Sequence, residues 1–107
     1  QAWRALSGAE RLSTGLTAVY AYYARNESLL SCVLRDAEHH ALTREIMDIR
    51  FGPVIDAWHE VLGAGLGKKQ RAMLALALSF HSWRTLTRDG GMKSGAAVSA
   101  MVHAILA

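Results

Sequence analysis

The sequence holds one cysteine, one proline and no apolar run of membrane length. A single thiol, Cys32, cannot close a disulfide within the chain, so no cystine framework exists and a reducing, cytoplasmic setting is expected. The longest nearly unbroken apolar run, AMLALALSF at 72–80, is well short of the roughly 20 residues that cross a bilayer. No basic start leads into an apolar stretch and a small-residue cleavage site, so secretion has no support and no membrane partner is expected. Val, Ile and Thr are sparse and period-two alternation is missing, which removes any basis for strands. Charge is scarce as well. Only 20% of residues are charged, the net charge is +3, and the basic side chains are dispersed apart from Lys68, Lys69 and Arg71. A nucleic-acid reader of this size concentrates positive charge on one face, so direct DNA contact by this segment is not expected.

What the chain does contain is alanine, leucine and large apolar side chains. At 107 residues and 51% hydrophobic content it can form one domain with a single core. That apolar fraction is high for so small a domain, and some of it is expected to be buried against a partner. The chain opens on Gln1, which points to processing or to a piece of a longer protein.

The spacing predicts about five helices and short loops, an all-α bundle. The first runs from about Ala9 to Ala24, with Leu12, Leu16, Val19 and Tyr23 on one stripe. Asn26 is the expected N-cap of a second helix over 27–38, which buries Leu29, Leu30, Val33 and Leu34. A third segment starts near Ala41, and RFGPV predicts either a kink near Pro53 or two short helices meeting there. GAGLG at 63–67 is read as a loop. A fourth helix over 69–89 ends on Gly90 as a left-handed C-cap, and a fifth opens near Ser94. Its apolar face holds Val98, Met101, Val102 and Ile105, beside a strip of Ala96, Ala100, Ala104 and Ala107.

Chemistry-bearing patterns fail one by one. HEVLG at 59–63 has Gly63 where a zinc protease needs its second histidine. GAGLGKK lacks the first P-loop glycine and has Lys69 in place of the magnesium-binding hydroxyl. RDAEHH sets Asp36, His39 and His40 at helical spacing, but the paired Glu-x-x-His motifs of a di-iron bundle are missing, and a polar helix end is the simpler reading. Cys32 sits among leucines, where a thiol is inert packing. Ser79 and Ser82 neighbour His81 in sequence but project in other directions. No catalytic residue, metal or cofactor is expected, and the chain is not read as an enzyme.

The order of segments resembles the C-terminal half of tetracycline-repressor-family transcription regulators. RLSTGLTAVYAYYARNESLLSCVLRDAE, RFGPVIDAWHEVLGAGL and ALALSFHSWRTLTRDGGMKSGAAVSAMVHAIL carry the resemblance, from about Arg11 to Leu106. Its elements are a tyrosine-rich helix, RNESLL, a Gly-Pro interruption, and a Phe-x-x-Trp-x-x-Leu helix followed by a glycine break and an Ala-rich last helix. None is specific alone; the ordered set is. The resemblance implies a domain that binds a small effector inside the bundle and forms a homodimer through its last two helices. It also implies a helix-turn-helix that binds operator DNA, which this chain does not contain, and it carries over no individual ligand contact.

Side-chain type and inward phase suggest a pocket at Tyr20, Tyr23, Met47, Phe51, Trp58 and Phe80, suited to an apolar or aromatic effector. The same residues could simply fill the core. The fourth helix is apolar almost all round and needs cover on more than one side. A dimeric four-helix interface is therefore expected through Leu74, Leu78, His81, Arg84, Val98, Met101, Val102 and Ile105, which Leu78→Asp or Met101→Asp should break. Two other readings remain: a dimerisation module whose cavity has closed, and a small helical metal protein or enzyme using Asp36, His39, His40 or His59.

Overall fold

A computed structural model describes residues 2–107, with the side chains of all of these except Ala2 and Arg4. Every regular element among the described residues is helical. A short 3₁₀ turn, Ala2–Ala5, precedes α1 (Gly8–Arg25), α2 (Glu27–His39), α3 (Ala41–Leu62), α4 (Lys68–Leu78), α5 (Phe80–Arg84) and α6 (Ser94–Leu106). The fold is all-helical, as the composition indicates, with six α-helices where five were expected.

The core is built on α1. Leu12, Leu16, Val19 and Tyr23 step by three and four, Tyr20 lies beside them, and all five are buried in the core that α1 shares with α4, α5 and α6. From α6, Ala97, Val98, Met101 and Ile105 close over them. Gly15 marks the closest approach of α1 to α3: a Cβ there would sit 2.4 Å from Leu62 Cδ2. Arg11 fastens the same end, donating from Nε to Trp3 O (3.2 Å) and Leu6 O (2.8 Å) and from Nη1 to Val61 O (3.4 Å). These bonds tie the N-terminal turn and the end of α3 to α1.

Helix boundaries depart from expectation at Asn26 and Gly90, and at Pro53 one of the two expected alternatives is excluded. Asn26 does stand between α1 and α2, but its side chain makes no cap for α2. Its Nδ2 donates back to Tyr22 O (2.9 Å), so it closes the end of α1 instead. α3 continues through Pro53 as one helix, so two short helices do not form. Gly90 is not left-handed (φ −84°). The last turn before it, Thr85–Asp89, widens into a π turn closed by Gly90 N–H to Thr85 O (2.8 Å), and the left-handed residue becomes Gly91 (φ +68°). One extra residue in the turn moves the glycine requirement one place on.

The fourth predicted helix breaks at Ser79, whose backbone is extended (φ −69°, ψ 132°). No glycine or proline lies there. The cause is tertiary. In an unbroken helix the carbonyls of Ala77 and Leu78 would accept from residues 81 and 82. Here Ala77 O accepts the Tyr20 hydroxyl at 2.6 Å and Leu78 O accepts the Tyr23 hydroxyl. The break also rephases the buried stripe. Leu74, Ala77 and Leu78 are buried before it, Phe80 and Trp83 after it. A straight helix would instead carry His81 and Arg84 or Thr85 onto that inner face.

The expected apolar faces shift accordingly. Leu76 of α4 is 52% exposed, and Leu29 of α2 is 61% exposed. Of the four α2 residues expected inside, only Leu30 is fully buried.

Candidate functional site

A concavity of about 620 Å³ lies between α1, α2, α3 and the α4–α5 junction. That is within the range that holds a small organic ligand, roughly 300–1,000 Å³. Tyr23, Leu30, Leu78 and Phe80, all buried, form its floor. Half-buried Leu34, Met47, Phe51, Trp58 and Tyr22 make the walls. Asp48, Arg50 and His81 are exposed at the margin, with half-buried His59 and Ser79 beside them.

The walls are organised around Tyr23. Its ring meets Phe80 edge-on at 5.5 Å (88°), Trp83 at 6.2 Å and Trp58 at 6.3 Å (72°), while Tyr22 meets Trp58 at 6.4 Å. These are edge-to-face arrangements, the favourable geometry for aromatic pairs. One face of Tyr23 thus belongs to the cavity and its hydroxyl to the end of α4. Burial pushes the phenol of Tyr23 above its ordinary range, with the neighbouring tyrosines Tyr20 and Tyr22 adding to the effect. The cavity therefore presents neutral π surface, with ionisable groups confined to its rim.

Five of the six residues proposed from sequence as a pocket come together here: Tyr23, Met47, Phe51, Trp58 and Phe80. Tyr20 does not. It is fully buried behind them, its phenol pushed up to about 12 by burial, and it serves the backbone of α4. Sequence reasoning missed Tyr22, Leu34, His59, Ser79 and His81. Leu34, the i+4 neighbour of Leu30, reads from sequence as core but lines the cavity wall. Ser79 and His81 reach the margin only because the helix breaks, and no local signal announces that break.

The expected dimer contacts fare differently. Leu74, Leu78, Val98, Met101 and Ile105 are buried within a single chain, between 1% and 7% exposed, so they hold this fold together and have no surface to offer a partner. An aspartate at 78 or 101 would unfold the domain before it could separate a dimer. Val102 is half-buried on α6. Arg84 is engaged within the chain, donating to Ser31 Oγ (3.4 Å) and lying 5.6 Å from the Phe80 ring centre. His81 is exposed, at the cavity rim. Arg88 is likewise paired within the chain, with Glu27 at the start of α2.

No group of three or more His, Cys, Asp or Glu side chains is placed to hold a metal ion among the described residues, so Asp36, His39, His40 and His59 do not converge. Among the same residues no helix is long and apolar enough to cross a membrane. Comparison with protein-family profiles, with curated proteins and with solved structures finds no match for the chain.

Proposed function

We propose that this domain senses a small apolar or aromatic molecule and reports it through a homodimer, as the effector domain of a one-component transcription regulator. The observation that carries the reading is the cavity: about 620 Å³, partly open, walled by aromatic rings on three helices and edged by a few polar groups. Apolar walls supply affinity through burial of ligand surface, and His59, His81 or the Tyr22 hydroxyl would orient a polar substituent. A closed structural module has no use for such a space. A bend of α3 at Pro53, where the ladder lacks an N–H, belongs to the same reading, because it would curve the helix round the ligand.

The homodimer is proposed through the outer face of α6. That helix carries no Asp, Glu, Lys or Arg along its 13 residues, and it exposes Ala96, Ser99, Ala100 and His103. Small side chains there permit close helix approach, and these residues replace the buried ones expected from sequence. Operator DNA would be reached only through a helix-turn-helix outside this chain, with ligand and operator affinities coupled reciprocally.

Thermal shift against a panel of neutral aromatic compounds tests the sensor. A true ligand at 100 times its Kd adds about 2.7 kcal/mol of stability. Ala75→Trp, which fills the cavity from α4 with no core group removed, should abolish that gain while the unliganded protein keeps its midpoint. Equal shifts in both proteins would place binding elsewhere and remove the basis of the reading.

A further inference from the structure

α3 has two apolar sides, and only one faces the cavity. At 100° per residue Met47, Phe51 and Trp58 cluster on the cavity side. Leu42, Ile46, Ile49 and Pro53 fall within about 60° of one another on the opposite side. All four are exposed, Ile49 by 75% and Leu42 by 68%. The steps of four, three and four form a continuous stripe about three turns long, a helix face made for another helix.

Its electrostatics identify the partner. The segment 28–62 holds six of the nine acidic residues but three of the twelve lysines and arginines, so this hairpin is net negative within a chain of +3. Arg44 is turned back onto the end of α2, bonding Ala37 O at 3.2 Å. Glu45 and Asp56 flank one edge of the stripe and Glu60 continues its line, all exposed. The one ion pair formed among the described residues, Arg88–Glu27, lies elsewhere.

We propose that this face of α3 is a docking surface for a basic amphipathic helix from another polypeptide or domain. Leucine-type side chains of that helix pack on Ile46 and Ile49, and its lysines or arginines meet Glu45, Asp56 and Glu60. The charge pattern argues against the alternatives. Two copies paired antiparallel through this stripe would set the acidic edge of one against the acidic edge of the other. An anionic lipid surface would be repelled by the same residues.

The test uses two designed helical peptides with the same leucine stripe, one flanked by lysines and its twin by glutamates, titrated by fluorescence anisotropy. The lysine peptide should bind at least ~10-fold more tightly than its twin, and lose affinity as salt rises. Ile46→Lys/Ile49→Lys should abolish binding with an unchanged thermal midpoint, since both positions are exposed and lysine suits a helix. Glu45→Lys/Asp56→Lys should transfer the preference to the glutamate peptide. The proposal is overturned if neither peptide binds, if both bind alike, or if binding survives the Ile46/Ile49 variant. A dimer that this variant dissolves would overturn it too, in favour of a second copy. None of these outcomes depends on a ligand in the cavity.

Discussion

α1 and α3 are the two longest helices, and they use their apolar residues in opposite ways. α1 buries Leu12, Gly15, Leu16, Val19, Tyr20 and Tyr23, while α3, four residues longer, buries only Val61 and Leu62 in its final turn. Side-chain chemistry does not separate them, since α3 is at least as rich in large apolar groups. Surroundings do. α1 is enclosed by α3, α4, α5 and α6, whereas α3 packs chiefly on α2, meets α1 and α4 as well, and leaves a cavity on one side and solvent on the other. One part of the molecule spends its apolar surface on stability and the other leaves it uncovered. Free energy of folding should therefore be concentrated in the first and surface available for binding in the second.

The sharpest way to break this comparison is a pair of truncations read by urea denaturation. Leu16 is completely buried, and Leu16→Ala should cost about 3 kcal/mol through lost burial and the cavity left behind. Ile49→Ala, on the exposed stripe, should fall within about 0.5 kcal/mol of wild type with the same m-value. Comparable losses at the two sites would mean that α3 is core after all. Next in size is Gly15→Ala, at the contact between the two helices. Its Cβ would collide with the buried Leu62 side chain, and overpacking of this kind costs about 1–3 kcal/mol.

The tyrosine caps come next, and they test why α4 stops where it does. Tyr20→Phe and Tyr23→Phe each leave a helix-end carbonyl without its donor, at about 1–2 kcal/mol apiece. The two caps also predict an alkaline limit. A phenol whose pKa is raised on folding holds its proton more tightly in the native state, so stability is complete below the unfolded value near 10 and falls as pH rises towards the folded value. For Tyr20 that window runs from about 10 to about 12. The double phenylalanine variant should be less stable at pH 8 yet lose less between pH 9.5 and 11. A parallel pH dependence would show that the phenols do not titrate as their burial requires.

How far the sequence reveals this arrangement depends on range. Helix positions follow from local rules: the Leu12–Leu16–Val19–Tyr23 spacing, the turn around Asn26, and the glycines after Leu62 and Asp89 all act within a few residues. The cavity aromatics were recoverable for the same reason, since Met47, Phe51 and Trp58 share one phase of α3. Ser79 was not. Nothing in LALALSFHSWR opposes a continuous helix, and the break depends on two hydroxyls more than fifty positions away. A straight helix through Ser79 turns Leu74 and Leu78 outward and leaves Tyr20 free to line a pocket, whereas the broken one buries all three. The π turn that shifts the left-handed position to Gly91 has no local signal either; its Leu86 and the preceding Trp83 pack on the core.

The smallest expected effect concerns the ion pair that ties the start of α2 to the π turn. Arg88, on the π turn, donates from Nε to Glu27 Oε2 at 2.8 Å and pairs with the other carboxylate oxygen, while its guanidinium lies 5.9 Å from the Trp83 ring centre. It therefore holds the first turn of α2 to the packed part of the chain, while the far end of α2 is held by no comparable pair among the described residues. Hydrogen bonding to Arg88 keeps the Glu27 carboxyl below its ordinary value of 4.5. A depressed carboxyl contributes stability above its unfolded pKa and loses it as pH falls through the folded value. Wild type should thus show an acid loss beginning near pH 4.5 that Glu27→Gln lacks, and the difference should shrink in high salt because the pair is exposed. If denaturation midpoints of the two proteins run parallel from pH 7 to pH 3, the bridge contributes nothing. α2 would then be held by the burial of Leu30 and Ala37, the packing of Leu34 and the Arg84–Ser31 hydrogen bond, and the boundary between packed and open regions would move towards the end of α1.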